Sequence, residues 1–138
     1  MMFDLGFESE YELRKAALDT RIKLMDLNGD GVAEVVAQGM AVCSATGNCP
    51  FWVLRRVNHS YEPILEGEAQ TFTIQNSTSN GFHDIVLSTH GSASSGGLTR
   101  YQYKDGSYHD VDCYSYEWTV LENEKVIDLK EPRITPCR

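Results

Sequence analysis

Short runs of alternating hydrophobic and polar residues, separated by glycine, asparagine and aspartate, recur along the chain. Alternation with a period of two predicts strands with one buried face, and the separating residues favour tight turns. The run 32–37 is rich in β-branched residues, which fit a pleated sheet. The predicted strands are 21–25, 32–37, 51–56, 61–65, 84–87, 98–103 and 108–111. The pattern therefore predicts a mainly β protein.

The two ends of the chain depart from this pattern. From about 8 to 19, hydrophobic residues stand among charged ones with a helical period, which predicts one N-terminal helix covering a face or an edge of the sheet. Pro132 and Pro136 predict an extended C-terminal tail over 130–138. The chain is long enough for a hydrophobic core, and we expect a single domain over 1–138.

The strand pattern is duplicated within the chain. A shift of 50 positions places segment 26–34 on segment 76–84, and a hydrophobic strand and then a hairpin follow both segments. The two strand-loop-strand-hairpin units are about 21–66 and 70–118. Each unit resembles a propeller blade, but a propeller needs about four to eight blades. We therefore expect a two-sheet sandwich or a partly closed barrel.

Oxygen-bearing side chains in the first unit have the spacing of a calcium-binding loop, because they occupy the first, third, fifth and ninth places of 26–34. Gly31 in the sixth place permits a sharp turn, and Ala37 in the twelfth excludes an EF-hand, which needs glutamate there. The predicted calcium ligands are Asp26, Asn28, Asp30, the carbonyl of Val32, and Glu34. A turn that binds no metal is the alternative, because these residue types favour turns unaided.

At these residues the chain resembles the calcium-loop β-repeats of the FG-GAP and VCBS type, whose loop runs Asp-x-Asn/Asp-x-Asp-Gly-x-x-Asp before a hydrophobic strand. The resemblance covers about 24–39 and implies calcium binding in a β context. This chain has Glu34 where the repeats have aspartate, and it lacks their surrounding Phe-Gly and Gly-x-Pro signature.

The second copy of the loop has lost most of its charge. Asn76, Thr78 and Asn80 are neutral, Gly81 retains the turn position, and Asp84 is the only carboxylate. Because calcium affinity depends on the charge of the ligands, we predict that the second copy is a metal-free turn.

The chain has 12 basic and 20 acidic residues and a net charge of −8, which disfavours nucleic acids and anionic membranes as partners. No run approaches the roughly 18 apolar residues of a membrane span. Segment 1–4 lacks the pattern of a signal peptide, so export is expected to depend on a leader that precedes residue 1.

The four cysteines have spacings that are poor for zinc and suit disulfides in an oxidising compartment. We predict the pairs Cys43–Cys49 and Cys113–Cys137. This pairing favours a secreted or periplasmic protein, and the alternative is four reduced, buried thiols in a cytoplasmic one.

A Gly/Ser-rich segment, 89–97, predicts a surface loop that could contact a ligand. The candidate residues in and beside it are His90, Ser92, Ser94, Ser95 and Arg100. No Gly-x-Ser-x-Gly elbow or phosphate-binding loop is present in the sequence.

We therefore expect a non-enzymatic binding or interaction module with a structural calcium ion. The expected ligand is a protein or a carbohydrate, because aromatic residues alternate near 114–118 and an exposed row would suit stacking on sugars. The alternatives are a small extracellular hydrolase or an inhibitor of an extracellular enzyme, either acting through loop 91–97.

Overall fold

The computed structural model describes residues 20–40 and 43–137, and these residues form nine β-strands and no α-helix. The prediction of a mainly β protein is confirmed. The predicted helix over 8–19 lies outside the described residues. The strands are β1 (Thr20–Met25), β2 (Glu34–Gly39), β3 (Cys49–Val57), β4 (Ser60–Ala69), β5 (Thr71–Ser79), β6 (Phe82–Ser92), β7 (Ser95–Lys104), β8 (Ser107–Glu122) and β9 (Lys125–Pro136).

The strands form two antiparallel sheets in simple chain order, β1-β2-β3-β4 and β5-β6-β7-β8-β9. Within each sheet, short connections explain this order, because each returns the chain beside the strand that it has just left. Asp105 and Gly106 have φ values of 52° and 90°, the left-handed values that a two-residue hairpin turn requires. Asn80 and Gly81, with φ values of 52° and 86°, make the same kind of turn between β5 and β6.

The strand order of the first sheet recurs in β5-β6-β7-β8 of the second. The second copy of the loop differs from the sequence prediction, because β5 extends to Ser79 and β6 begins at Phe82. Only Asn80 and Gly81 are left as the turn, and the register of the pair is irregular between Ile74 and Thr78. The segment predicted as an extended tail lies largely in β9, which pairs with β8 at the edge of the second sheet.

The inward faces of the two sheets share one hydrophobic core. Phe51 of the first sheet stacks on Phe72 of the second, with ring centroids 4.9 Å apart. Val53 and Ile85 are fully buried, and burial of a side chain of this size contributes about 1.5–3 kcal/mol. The core residues are Leu27, Val36, Phe51, Val53, Ile64, Leu65, Ala69, Phe82, Ile85, Leu87, Tyr103 and Tyr108.

Both predicted disulfides are present, and the described residues contain no free cysteine. The bond Cys43–Cys49 closes a short loop before β3, and Cys113–Cys137 joins β8 to the residue after β9. The proposal of four reduced thiols is therefore wrong. No helix in the described part of the chain is both long and apolar enough to cross a membrane.

Candidate metal centre

The predicted calcium loop connects β1 to β2 and is anchored to both sheets. Leu27 is fully buried in the shared core, although it belongs to a loop of polar residues. Its carbonyl oxygen accepts a hydrogen bond of 2.8 Å from the backbone N–H of His83 in β6. The loop is therefore held in place by the core and by the second sheet.

Asp26 organises the turn through both of its carboxylate oxygens. Oδ1 accepts a hydrogen bond from the N–H of Gly29 and Oδ2 accepts one from the N–H of Gly31, both at 2.9 Å. The two glycines have φ values of 73° and 83°, which a residue with a Cβ rarely adopts. These N–H groups, that of Gly31 above all, hold the pKa of Asp26 below its usual range. The carboxylate of Asp26 is therefore ionised at neutral pH.

The side chains of Asn28 and Asp30 form hydrogen bonds within the same turn. Asp30 Oδ1 accepts a hydrogen bond of 2.8 Å from the N–H of Val32, and Asn28 Oδ1 accepts one of 3.2 Å from the N–H of Asp30. The amide nitrogen of Asn28 also donates to Asp30 Oδ2 at 3.2 Å. The oxygen-bearing side chains of the loop are thus drawn together by its own backbone. The role of the Val32 carbonyl as a ligand stays a prediction.

Glu34 is the first residue of β2 and is only 2 % exposed. Its Oε1 accepts a hydrogen bond of 3.1 Å from the N–H of Leu27. Burial raises the pKa of Glu34, and the negative charges of Asp30 and Asp26 raise it further, against the lowering effects of the Leu27 N–H and of Arg55. A buried carboxylate in this position gains stability from any cation that reaches it.

The carboxylates of Asp26, Asp30 and Glu34 converge, since one oxygen of each lies within 4.8 Å of the others. Two oxygens that flank a calcium ion stand at most about 4.6–5.2 Å apart when each bond is about 2.3–2.6 Å. The three side chains therefore fit a single metal ion of this size. Two of them are exposed and Glu34 is buried, so the group faces solvent on one side.

A cavity of about 300 Å³ adjoins this group and is lined by Asp30, Val32, Glu34, Arg55, Arg56 and Asn58. Arg55 donates from Nη1 to the hydroxyl of Tyr103 at 3.2 Å and stands 5.3 Å from the centre of the Phe82 ring. Its guanidinium is therefore already engaged with aromatic residues. No sequence pattern indicates a role for Arg55, because the pairing of β2 with β3 brings it near Glu34.

The second unit also buries a carboxylate at the equivalent position, Asp84, which is 1 % exposed. The hydroxyls of Ser77 and Ser79 each donate to it at 2.7 Å, and Arg100 Nη1 lies 3.6 Å from Oδ2. Burial alone would raise the pKa of Asp84, but these hydroxyls, a hydrogen bond from Gln102 and the charge of Arg100 outweigh it, so that the pKa is lowered. Here the chain supplies its own cation.

Arg100 was predicted as part of a ligand-contacting loop, and the structure places it in this charge network. Its contact with a ligand stays a prediction. Its Nε donates to Asp112 Oδ2 at 2.8 Å, and Nη2 donates to the same oxygen. Ser77 and Ser79 are two further functional residues that were not predicted from the sequence. Their alternation before the turn is a signal that could have placed both hydroxyls on one face of β5.

The Gly/Ser-rich loop predicted over 89–97 is a hairpin, because β6 runs to Ser92 and β7 begins at Ser95. The hydroxyls of Ser92 and Ser95 are hydrogen-bonded at 2.7 Å, and the carbonyl of Ser94 accepts a bond of 2.7 Å from the N–H of Trp118. Within the described residues, no hydrogen bond joins the imidazole of His90 to a serine hydroxyl. The backbone of His90 instead bonds the side chain of Asn48 in both directions, each at 2.8 Å.

Comparison of the chain with protein-family models, with curated proteins and with solved structures finds no match in any of the three. The resemblance to FG-GAP and VCBS repeats thus stays a prediction from the sequence.

Proposed function

We propose that this protein is a non-enzymatic binding or interaction module that is secreted or periplasmic and carries a structural calcium ion in loop 26–34. The observation that carries the proposal is the convergence of three carboxylates within 4.8 Å, one of them on the buried Glu34. Two disulfides support an oxidising compartment.

Calcium is the metal that this donor set favours. Every side chain of the group offers oxygen, and neither histidine nor cysteine contributes, which suits a hard cation rather than zinc or copper. The amide oxygen of Asn28 and the carbonyl of Val32 would raise the number of ligands toward the six to eight that calcium takes.

The position of the loop supports a structural role for the ion. The buried Leu27 and its bond to His83 connect the loop to both sheets, so a cation bound beside it would strengthen the joint between them. If the calcium concentration is about 100 times the dissociation constant, binding stabilises the folded protein by about 2.7 kcal/mol.

The proposal is tested by titrating the metal-free protein with Ca²⁺ and with Mg²⁺ in a calorimeter. We expect Ca²⁺ to bind at one site and the double variant Asp26→Asn/Asp30→Asn to bind none, because both exposed ligand charges are lost. The matched control is Glu122→Gln/Asp128→Asn, which removes two exposed carboxylates from the β8–β9 pair and should bind Ca²⁺ as the original chain does.

Two results would contradict the proposal. One is the absence of heat when millimolar Ca²⁺ is added to the original chain. The other is Ca²⁺ binding of equal affinity in the Asp26→Asn/Asp30→Asn variant.

A further inference from the structure

A groove of about 450 Å³ opens between the two sheets where their first strands, β1 and β5, form neighbouring edges. Its volume lies within the range of about 300–1,000 Å³ that is typical of small-molecule sites. None of the predicted calcium ligands lines it. The groove is therefore a separate feature of the fold.

The floor of the groove is apolar. The stacked rings of Phe51 and Phe72 line it together with Met25, Val36 and Ile74. Three polar side chains, those of Gln38, Thr71 and Thr73, also line the groove. Phe72, Met25 and Ile74 pack against the core but remain partly accessible. A ligand with a hydrocarbon chain or ring could remove this surface from water.

The rim of the groove is positively charged. Arg21 and Lys23 are two residues apart on β1, so their side chains share the face that looks into the groove. Both are exposed, and no salt bridge joins either of them to an acidic side chain in the described part of the chain. No aspartate or glutamate lines the groove. On a protein of net charge −8 this is a local site of opposite sign.

We propose that this groove binds an anionic amphiphile, a small molecule whose apolar part lies on the Phe51–Phe72 floor and whose carboxylate or sulfonate group lies beside Arg21 and Lys23. The charge of the rim selects the anionic head group, and the aromatic floor selects the apolar part. The inference gives the proposed binding module a ligand class, and it does not depend on calcium.

The test is calorimetric titration of the protein with octanoate, decanoate and decyltrimethylammonium, each below its micelle concentration, with and without a calcium chelator. Decanoate is expected to bind in both conditions. Each added methylene should tighten binding up to roughly fourfold, since that is the effect of burying one methylene group. The cationic amphiphile of the same chain length is expected not to bind.

The variant Arg21→Gln/Lys23→Gln should weaken decanoate binding at least about tenfold, because favourable charge pairs with the head group are lost. The matched control Lys125→Gln/Lys130→Gln removes two charges from β9, the far edge of the second sheet, and should change the affinity less than about twofold. Circular dichroism checks that both variants keep the fold.

The inference is overturned if decanoate does not bind, if the cationic amphiphile binds equally well, or if Arg21→Gln/Lys23→Gln leaves the affinity unchanged. The last result would leave the two cations with only the role of protecting an edge strand from pairing with another chain. If the original chain binds decanoate but does not bind Ca²⁺, the proposed calcium site is rejected and the proposed groove ligand is not.

Discussion

Replacing Arg100 with methionine tests whether the second unit neutralises its buried carboxylate from within the chain. Methionine keeps much of the apolar length of the side chain and removes the guanidinium. Asp84 would then retain the hydroxyls of Ser77 and Ser79, but it would lose the cation that lies 3.6 Å away. We expect the variant to be less stable because a buried charge is left without its ion-pair partner.

The expected size of the effect follows from the distance. Two unit charges 3.6 Å apart interact by about 4.6 kcal/mol at an effective dielectric constant of about 20, and by about 1.2 kcal/mol in bulk water. The side chain of Arg100 is 37 % exposed, so water screens the pair. We therefore expect a coupling between Arg100 and Asp84 of about 1–2 kcal/mol. The lost bond to the half-exposed Asp112 adds about 0.2–1 kcal/mol to the single substitution.

Urea unfolding in a calcium chelator measures this coupling through four proteins: the original chain, Arg100→Met, Asp84→Asn and the double variant. The cycle isolates the Arg100–Asp84 interaction, because the bond to Asp112 is lost equally on both sides. Arg133→Met is the control, since Arg133 pairs only with the exposed Glu117 among the residues that the structure describes, and its replacement should cost less than about 1 kcal/mol. A coupling energy below about 0.3 kcal/mol would refute the assignment of Arg100 as the internal cation.

Replacing Cys113 and Cys137 with alanine should lower the free energy of unfolding in urea by about 3.5 kcal/mol, and replacing Cys43 and Cys49 should lower it by about 2.4 kcal/mol. The first effect is larger because that disulfide closes the longer loop, and equal effects would count against this entropic explanation. Gly96→Ala should lower the melting temperature by several degrees, because a Cβ there would overlap the Thr89 carbonyl and the Tyr116 ring, whereas Gly91→Ala has room and should change it little. The lowered pKa of Asp84 contributes stability that is fully present above pH 3.8 and is lost as pH falls through the lower folded-state value. As pH falls below 3.8, the free energy of unfolding should therefore decrease less for Asp84→Asn than for the original chain.

The parts of the fold that were predictable are those with local signals. Alternation at a period of two marks a strand with one face inward, and the pair Asp105–Gly106 supplies the left-handed conformations of a hairpin turn. The spacing of the cysteines favoured the observed pairing because each pair lies in or beside neighbouring elements. The turn in segment 26–34 was also predictable from local sequence, because its side chains form hydrogen bonds with its own backbone.

The Gly/Ser-rich hairpin was predicted to be a loop because the role of its glycine, close contact with a residue distant in sequence, is not visible locally. Glycine usually weakens a strand and indicates a loop, but it also permits close approach of another group. Gly96 lies in β7, and the ring of Tyr116 from β8 occupies the space that its side chain would need. Tyr116 also donates from its hydroxyl to the carbonyl of Thr89 at 3.4 Å. A pairing of residues so far apart in sequence cannot be read from the composition of one segment.

The charge network of the second unit was hidden for a related reason. Arg100 approaches Asp84 only because β6 and β7 pair in the register that sets Val86 opposite Arg100. A slip of one residue would turn the guanidinium to the other face of the sheet. The sequence contains both charged groups, but their distance depends on this register, which the whole sheet determines.

The two units solve one electrostatic problem in different ways. Both bury a carboxylate at equivalent positions, Glu34 and Asp84, and an unpaired buried charge is costly. In the second unit an arginine and two hydroxyls offset that cost. In the first unit two further carboxylates, those of Asp26 and Asp30, add negative charge where neutralisation is needed. An arrangement that worsens the repulsion around a buried carboxylate is favourable when a cation occupies the site, which is the physical reason for proposing a cation there.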